Sequence, residues 1–170
     1  NHISKKYFIE KRVGLELLYK GKKYGPYVND IFLRHTKSTA NFKITLNGNV
    51  LHKDFSAIGY TVSTSTGSTG YNVSLGGPIA EPGVSCLLLN PISPININTR
   101  PIISNPESEV IIEVVRKKPG EVFVVGNGKD LGTLEVGEKV VIKKHKMELV
   151  FAVLDHHDFY VAPNGHVFTL

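Results

Sequence analysis

Three times along this chain an Asn-Gly dipeptide stands between arms in which apolar and polar residues alternate. These are Asn47-Gly48 in NFKITLNGNVLHKDFS, Asn127-Gly128 in EVFVVGNGKDLGTLEV and Asn164-Gly165 in FYVAPNGHVF. A two-residue type I′ turn needs positive φ at both positions, which Asn tolerates and Gly adopts freely, and its twist matches that of paired strands. Each dipeptide therefore predicts a β-hairpin. Further strands are expected at Tyr27–His35, Glu109–Val115, Lys139–Lys144 and Met147–Leu154, where β-branched and aromatic residues concentrate. Helical signal is confined to STGYNVSLGG, with Ser68 or Thr69 to cap its start and Gly76-Gly77 to end it. The Pro-rich PISPININTRPIISNP is aliphatic enough to read as a packed, irregular surface crossover. Many short strands with turn signals between them predict a mainly β fold: an antiparallel β-sandwich with hairpins and one short helix after the Gly-rich loop.

At 170 residues the chain suits a single domain, 1–170, that buries roughly 70% of its unfolded surface. Runs such as CLLLN and ELVFAVL are too short to span a bilayer, and no charged-then-apolar leader opens the chain. These features lead to the expectation of a cytoplasmic protein with no membrane partner. The lone Cys86 sits in the apolar stretch VSCLLLN and reads as a small buried hydrophobe in a reducing compartment. A formal charge of +5 favours anionic partners without choosing among them. The basic clusters KYFIEKR, YKGKK and VRKKPG are scattered over expected turns and lack regular aromatic partners, so they read as solvated faces, not as a nucleic-acid surface. DHHDFY (155–160) brings a metal to mind, but adjacent His156 and His157 on a strand point to opposite faces.

The most informative stretch is Ile58–Gly77, IGYTVSTSTGSTGYNVSLGG. A strand runs into a loop of small hydroxylated residues and glycines, which opens a short helix. Such loops offer unpaired N–H groups to polar nucleotide groups. Gly67 and Gly70 remove side-chain bulk, so a ring or ribose can approach the backbone. Tyr71 offers an aromatic face with a polar tip. There is no Walker lysine, so a P-loop is excluded. A capped tight turn with no ligand remains open on this segment alone.

STSTGSTGYNVSLGGPI resembles the most diagnostic motif of the NAD kinase family, S-T-P-T-G-S-T-A-Y followed by S-x-G-G-P. LLLNPISPININTRPII resembles the family's L-x-P-I-x-P-H-S-L-S-x-R-P stretch. YFIEKR and YVNDIFLRH resemble its strand entry and its Asn-Glu/Asp pair, and VVGNGKDLGTLEVGEKVVIKK resembles its late hairpin, which usually carries Asp-Gly. The resemblance runs from about Tyr7 to Lys144. It implies the C-terminal β-domain that binds NAD, in an enzyme that phosphorylates the adenosine-ribose 2′-hydroxyl of NAD to give NADP. The donor would be ATP or polyphosphate with Mg2+ held chiefly by the donor phosphates, and the protein a homo-oligomer. Carried over by position, Asn29 and Asp30 would contact ribose or nicotinamide groups. Thr69, Gly70, Tyr71 and Ser74 would line the adenine and ribose pocket, and Ser93 would lie close to the substrate. The plain alternative for Asp30 is a solvent-facing strand carboxylate. Arg100 pairs with a phosphate or carboxylate, or supports the fold.

Three positions depart from the family pattern. No Gly-Gly-Asp-Gly segment, whose aspartate would activate the ribose hydroxyl, occurs in the chain. Together with the Asn1 start, this leads to the expectation that a catalytic α/β lobe lies outside these residues and that the chain alone is inactive. The family's Asp of its Gly-Asp-Gly segment falls on Ile58, and the histidine of P-H-S-L-S on Ile95. The late Asp-Gly is Asn127-Gly128 here. These departures keep a second reading open, a non-enzymatic module that binds NAD, NADP or another adenine nucleotide, or that drives assembly. A lipid kinase of the same superfamily fits less well with the intact STGSTGY loop and the Asn29-Asp30 pair.

Overall fold

Two of the Asn-Gly turns form as expected, with φ of 50° and 78° at Asn47-Gly48 and 46° and 77° at Asn127-Gly128. A third turn of the same hand, at Lys20 (48°) and Gly21 (76°), carries no Asn to announce it. The computed structural model describes residues 7–81, 83–96 and 98–153. The expected hairpin at Asn164-Gly165 and the DHHDFY segment lie outside the described residues.

The first strands are β1 (Phe8–Arg12), β2 (Leu15–Tyr19), β3 (Lys22–Tyr27), β4 (Asp30–His35), β5 (Ala40–Leu46) and the long β6 (Asn49–Thr64). A 3-10 turn (Thr66–Thr69) and a one-turn helix, α1 (Tyr71–Ser74), follow. Then come β7 (Leu87–Pro94), β8 (Ile102–Ser104), β9 (Val110–Lys117), β10 (Val122–Gly126), β11 (Lys129–Leu134), β12 (Lys139–Lys144) and β13 (Leu149–Val153). The stretch expected to be an irregular crossover thus holds the end of β7 and all of β8. Its prolines hid it, because proline removes a ladder donor. Pro91 and Pro94 lie past Leu89, where β7 pairs with β6 on one side and β8 no longer flanks the other. An edge position tolerates proline.

Eleven strands form one antiparallel sheet in the order β11-β10-β4-β6-β5-β9-β12-β2-β3, with β7 on β6 and β8 on β7. β4 and β5 lie end to end along β6, the former from Asp30 opposite Ser63 to Arg34 opposite Gly59, the latter from Ala40 opposite Ala57 onward. Beyond them the sheet divides, with β10 beside β4 and β9 beside β5. Buried His35 stitches the division. Its Nδ1 accepts from the amides of Lys37 (3.2 Å) and Ser38 (2.9 Å), and its Nε2 lies 3.1 Å from the Lys118 carbonyl. The two branches close over one core, in which Leu15, Leu17, Ile31, Leu33, Phe42, Ile112, Val124 and Ile142 have no exposed surface. The expected sandwich is therefore a single sheet curled upon itself. β1 and β13 pair separately as a two-stranded ribbon.

One core group is out of place chemically. Tyr60 is fully buried, its hydroxyl has no hydrogen-bond partner among the described residues, and burial pushes its phenol well above the ordinary value. A buried hydroxyl that loses water without gaining a partner costs about 1–3 kcal/mol. Tyr60→Phe keeps the ring and removes the cost. Urea unfolding is expected to show the variant more stable by about 1 kcal/mol, and a less stable variant would mean the hydroxyl has an internal partner.

Candidate functional site

Hydroxyls and amides, rather than end caps, hold the segment that follows β6. Neither Ser65 before the 3-10 turn nor Gly70 before α1 makes a side-chain cap, so the capping expected of Ser68 or Thr69 does not form. Both residues lie inside the 3-10 turn, ahead of the cap position of α1, which Gly70 fills. Instead Thr64 Oγ1 accepts from the Gly67 amide (3.1 Å) and donates to the Val28 carbonyl (2.5 Å). Ser68 Oγ donates to the Ala80 carbonyl (3.0 Å). Asn72 Nδ2 donates to the carbonyls of Ser68 (3.1 Å) and Pro78 (2.8 Å). The end at Gly76-Gly77 is as expected, with φ of +73° at Gly76 and the Gly77 amide on the Asn72 carbonyl at 3.0 Å. Beneath this cover Cys86 packs with Ala80 and Leu88, and burial pushes its thiol up, in keeping with a small hydrophobe.

The strand expected over Tyr27–His35 breaks at Val28-Asn29, and the break brings Asn29 against the loop. The Thr64 amide donates to the Asn29 carbonyl at 2.9 Å. Gly67 packs so closely there that a Cβ would run into the same carbonyl. Asn127 closes the other side. Its Oδ1 accepts from the amides of Asn29 (3.0 Å) and Asp30 (3.3 Å), while its own amide donates to the Asp30 carbonyl (3.0 Å). A carboxylate oxygen would accept those two amides equally well. Asn127→Ala is expected to cost on the order of 2 kcal/mol, because two amides lose their acceptor, whereas Asn127→Asp should cost well under half of that. Parallel urea titrations check both, and equal losses would refute the latch.

Asp30 is not the solvent-facing carboxylate of the plain alternative. It is 6% exposed, its carboxyl has no hydrogen-bond or ion-pair partner among the described residues, and burial alone raises its pKa. An unpaired buried carboxylate is the arrangement that marks candidate functional sites. Of the other residues named from the sequence, Asn29, Thr69, Gly70 and Ser74 are exposed and Tyr71 is half-buried. The Tyr71 ring lies against Phe32, centroids 5.0 Å apart and tilted 55°.

Ser93 is not brought to this group. It falls between the pairs Ala57–Pro94 and Gly59–Ile92, opposite Ile58. That lies six residues back along β6 from Thr64, roughly 20 Å at strand rise. The β6–β7 register, which nothing local in the sequence encodes, is the reason. Ser93 is exposed with φ of 45°, and two of the departures from the family pattern, Ile58 and the 67%-exposed Ile95, lie beside it. An open groove of about 530 Å³, lined by residues that include His52, Phe55, Ile95 and Asn96, runs along that end.

Sequence reasoning missed Phe32 and Arg34, which share Asp30's face of β4, and Asp130. With Tyr71, Val125 and Gly128 they line a pocket of about 270 Å³. The period-two spacing of 30, 32 and 34 was the available signal. Among the described residues no three His, Cys, Asp or Glu side chains group to hold a metal ion, and no helix is long and apolar enough to cross a membrane.

Residues 29–154 match the family model of the ATP-NAD kinase C-terminal domain. The NAD kinase of Clostridium tetani is 34% identical over 167 residues, 94% of this chain and 60% of that protein. That of Fusobacterium nucleatum is 31% identical over 163 residues, 94% of this chain and 57% of that protein. The chain therefore spans about three fifths of these relatives. Among solved structures, yeast NADH kinase complexed with NADH superposes with a TM-score of 0.78 at 26% identity, over 90% of this chain and 46% of that one. An NAD kinase from Archaeoglobus fulgidus in complex with ATP gives 0.71 at 22% identity, over 88% and 56%, a likeness of fold. With a family match over most of its length and relatives above 30% identity along nearly all of it, this chain belongs to the NAD kinase family as a C-terminal domain.

Proposed function

We propose that the domain binds the acceptor of an NAD kinase, holding NAD so that the 2′-hydroxyl of its adenosine ribose receives a phosphoryl group. The observation that carries this reading is the unpaired, buried Asp30 carboxylate, next along the strand from exposed Asn29, whose carbonyl packs against Gly67 and accepts from the Thr64 amide. Vicinal ribose hydroxyls both donate and accept, so a carboxylate beside an amide suits them. Thr69, Gly70 and Ser74 bound the adenosine, and Tyr71 offers its exposed edge to the base. Ser93 serves the same ligand only from a distance, through the far end of β6 or another copy of the chain. The exposed strand faces suit self-association, and a cytoplasmic setting suits the NADP-forming reaction.

Phosphoryl transfer needs a positioned acceptor, a metal-bound donor and an activated hydroxyl. These residues supply the first. Because no group of potential ligands gathers among the described residues, they do not fit a resident divalent cation, and Mg2+ would travel on the phosphates of ATP or polyphosphate. The activating carboxylate has no counterpart in a Gly-Gly-Asp-Gly segment of this sequence. The full-length protein, given ATP, Mg2+ and NAD, is expected to form NADP, read by an NADP-specific dehydrogenase. Failure of both the full-length protein and a form complemented with a family α/β lobe overturns the enzyme reading. Ile58, where the family has a carboxylate, favours a second reading: a module that binds dinucleotide without transfer. Dinucleotide binding by calorimetry without NADP formation in either form selects it.

A further inference from the structure

Arg34 is a cation with nothing to do. It is exposed on β4, and its guanidinium has no ion pair or hydrogen bond among the described residues. Other arginines are engaged, Arg12 with Glu10 at 2.7 Å and Arg116 with Asp54. Alternation along β4 puts Arg34 on the face of Asp30 and Phe32, while Ile31, Leu33 and His35 point into the core. Four residues of strand separate Arg34 from Asp30, about 13 Å between Cα atoms, and the long arginine arm shortens the gap between their charged ends. Arg34 lines the pocket of about 270 Å³ together with Phe32, the residue between it and Asp30 on this face of the strand. Functional small-molecule pockets start near 300 Å³, so this one holds part of a dinucleotide rather than the whole.

We infer that Arg34 binds the diphosphate of the dinucleotide, and that the pocket between Tyr71 and Gly128 holds the ribose beyond it. This rests on the adenosine being held at Asn29, Asp30 and the 64–74 loop. A guanidinium offers five donors in a planar fork that matches phosphate oxygens. Asp130 lines the same pocket without pairing with Arg34, which leaves its carboxylate to accept from ribose hydroxyls. Gly128 lets the ligand approach the turn backbone, and the Phe32–Tyr71 ring pair forms the apolar wall. The ligand class is a nucleoside diphosphate carrying a second sugar, and the bare nucleoside lacks what Arg34 binds.

Calorimetry of the 170-residue chain with NAD, ADP-ribose and adenosine, on wild type, Arg34→Gln and Arg34→Lys, tests this. Arg34→Gln should weaken NAD and ADP-ribose about tenfold or more, leave adenosine within about twofold, and flatten the salt dependence of NAD binding. Arg34→Lys should recover part of the loss. Unchanged melting of these exposed variants keeps the comparison clean. NAD binding unaltered by Arg34→Gln, or NAD and adenosine weakened equally, overturns the assignment while leaving the adenosine site in place. Wild type that binds none of the three ligands overturns both.

Discussion

Replacing Gly67 with alanine is expected to abolish dinucleotide binding and to destabilise the domain by on the order of 3 kcal/mol. A Cβ at Gly67 runs into the Asn29 carbonyl, and the obstacle is main chain, which cannot rotate aside as a side chain can. That carbonyl is also fixed by the Thr64 amide at 2.9 Å, so moving it opens the junction between strand and loop. Gly70 is the control. A Cβ there meets only the Gly67 carbonyl, at 3.3 Å, and the family motif itself carries alanine at this position. Gly70→Ala should therefore cost less than about 1 kcal/mol of stability. Chemical denaturation and NAD titration of the two variants check the pair. If both alanines behave alike, the contact of loop and strand is not what shapes the site.

The hairpins were legible because Asn-Gly is a local device. Positive φ at both residues is needed wherever the turn occurs, whatever packs around it. The turn at Lys20-Gly21 uses the same geometry with a residue that seldom adopts it, so β2 and β3 escaped notice. β7 escaped for the opposite reason. Its prolines speak against a strand, and their tolerance depends on an unpaired edge that only the assembled sheet defines. β6 from Tyr60 onward and β7 through Ile92 are buried on both faces, under the loop on one side and the core on the other. Such runs show no alternation, which is why VSTS in the motif gives no sign of lying inside a sheet.

Legibility of the candidate site follows the same division. Asn29, Asp30 and the 64–74 loop could be named because motif resemblance is carried by consecutive residues. Asn127 was visible as a turn former, but its second role depends on a contact with residues 97 and 98 positions earlier in the chain. Ser93 illustrates the converse. Its P-I-x-P motif reads directly from the sequence, yet the register of β6 against β7 sets it at the far end of the strand pair. Resemblance conveys which residues belong to a family pattern; tertiary register decides which of them meet within one chain.

Asp30→Asn is expected to move stability and binding in opposite directions. Burial without a partner raises the folded-state pKa of Asp30 above its unfolded value. Below the unfolded value both states are protonated and the group costs nothing. As pH rises from there through the folded value, the unfolded chain binds fewer protons than the folded one, so stability falls and then levels off. Asparagine carries no charge and escapes this cost. The variant should match wild type in acid and exceed it by on the order of 1 kcal/mol at pH 7. NAD affinity should drop about tenfold or more, because the amide offers one acceptor oxygen where the carboxylate offers two. Donors from the bound ribose favour the ionised carboxylate, so NAD binding to wild type should release protons and tighten as pH rises through the folded value. Calorimetry in buffers of different ionisation enthalpy reads that release, and Asp30→Asn should abolish it. A variant less stable than wild type at pH 7, with proton release unchanged, would show that Asp30 already has a partner and takes no part in holding the ligand.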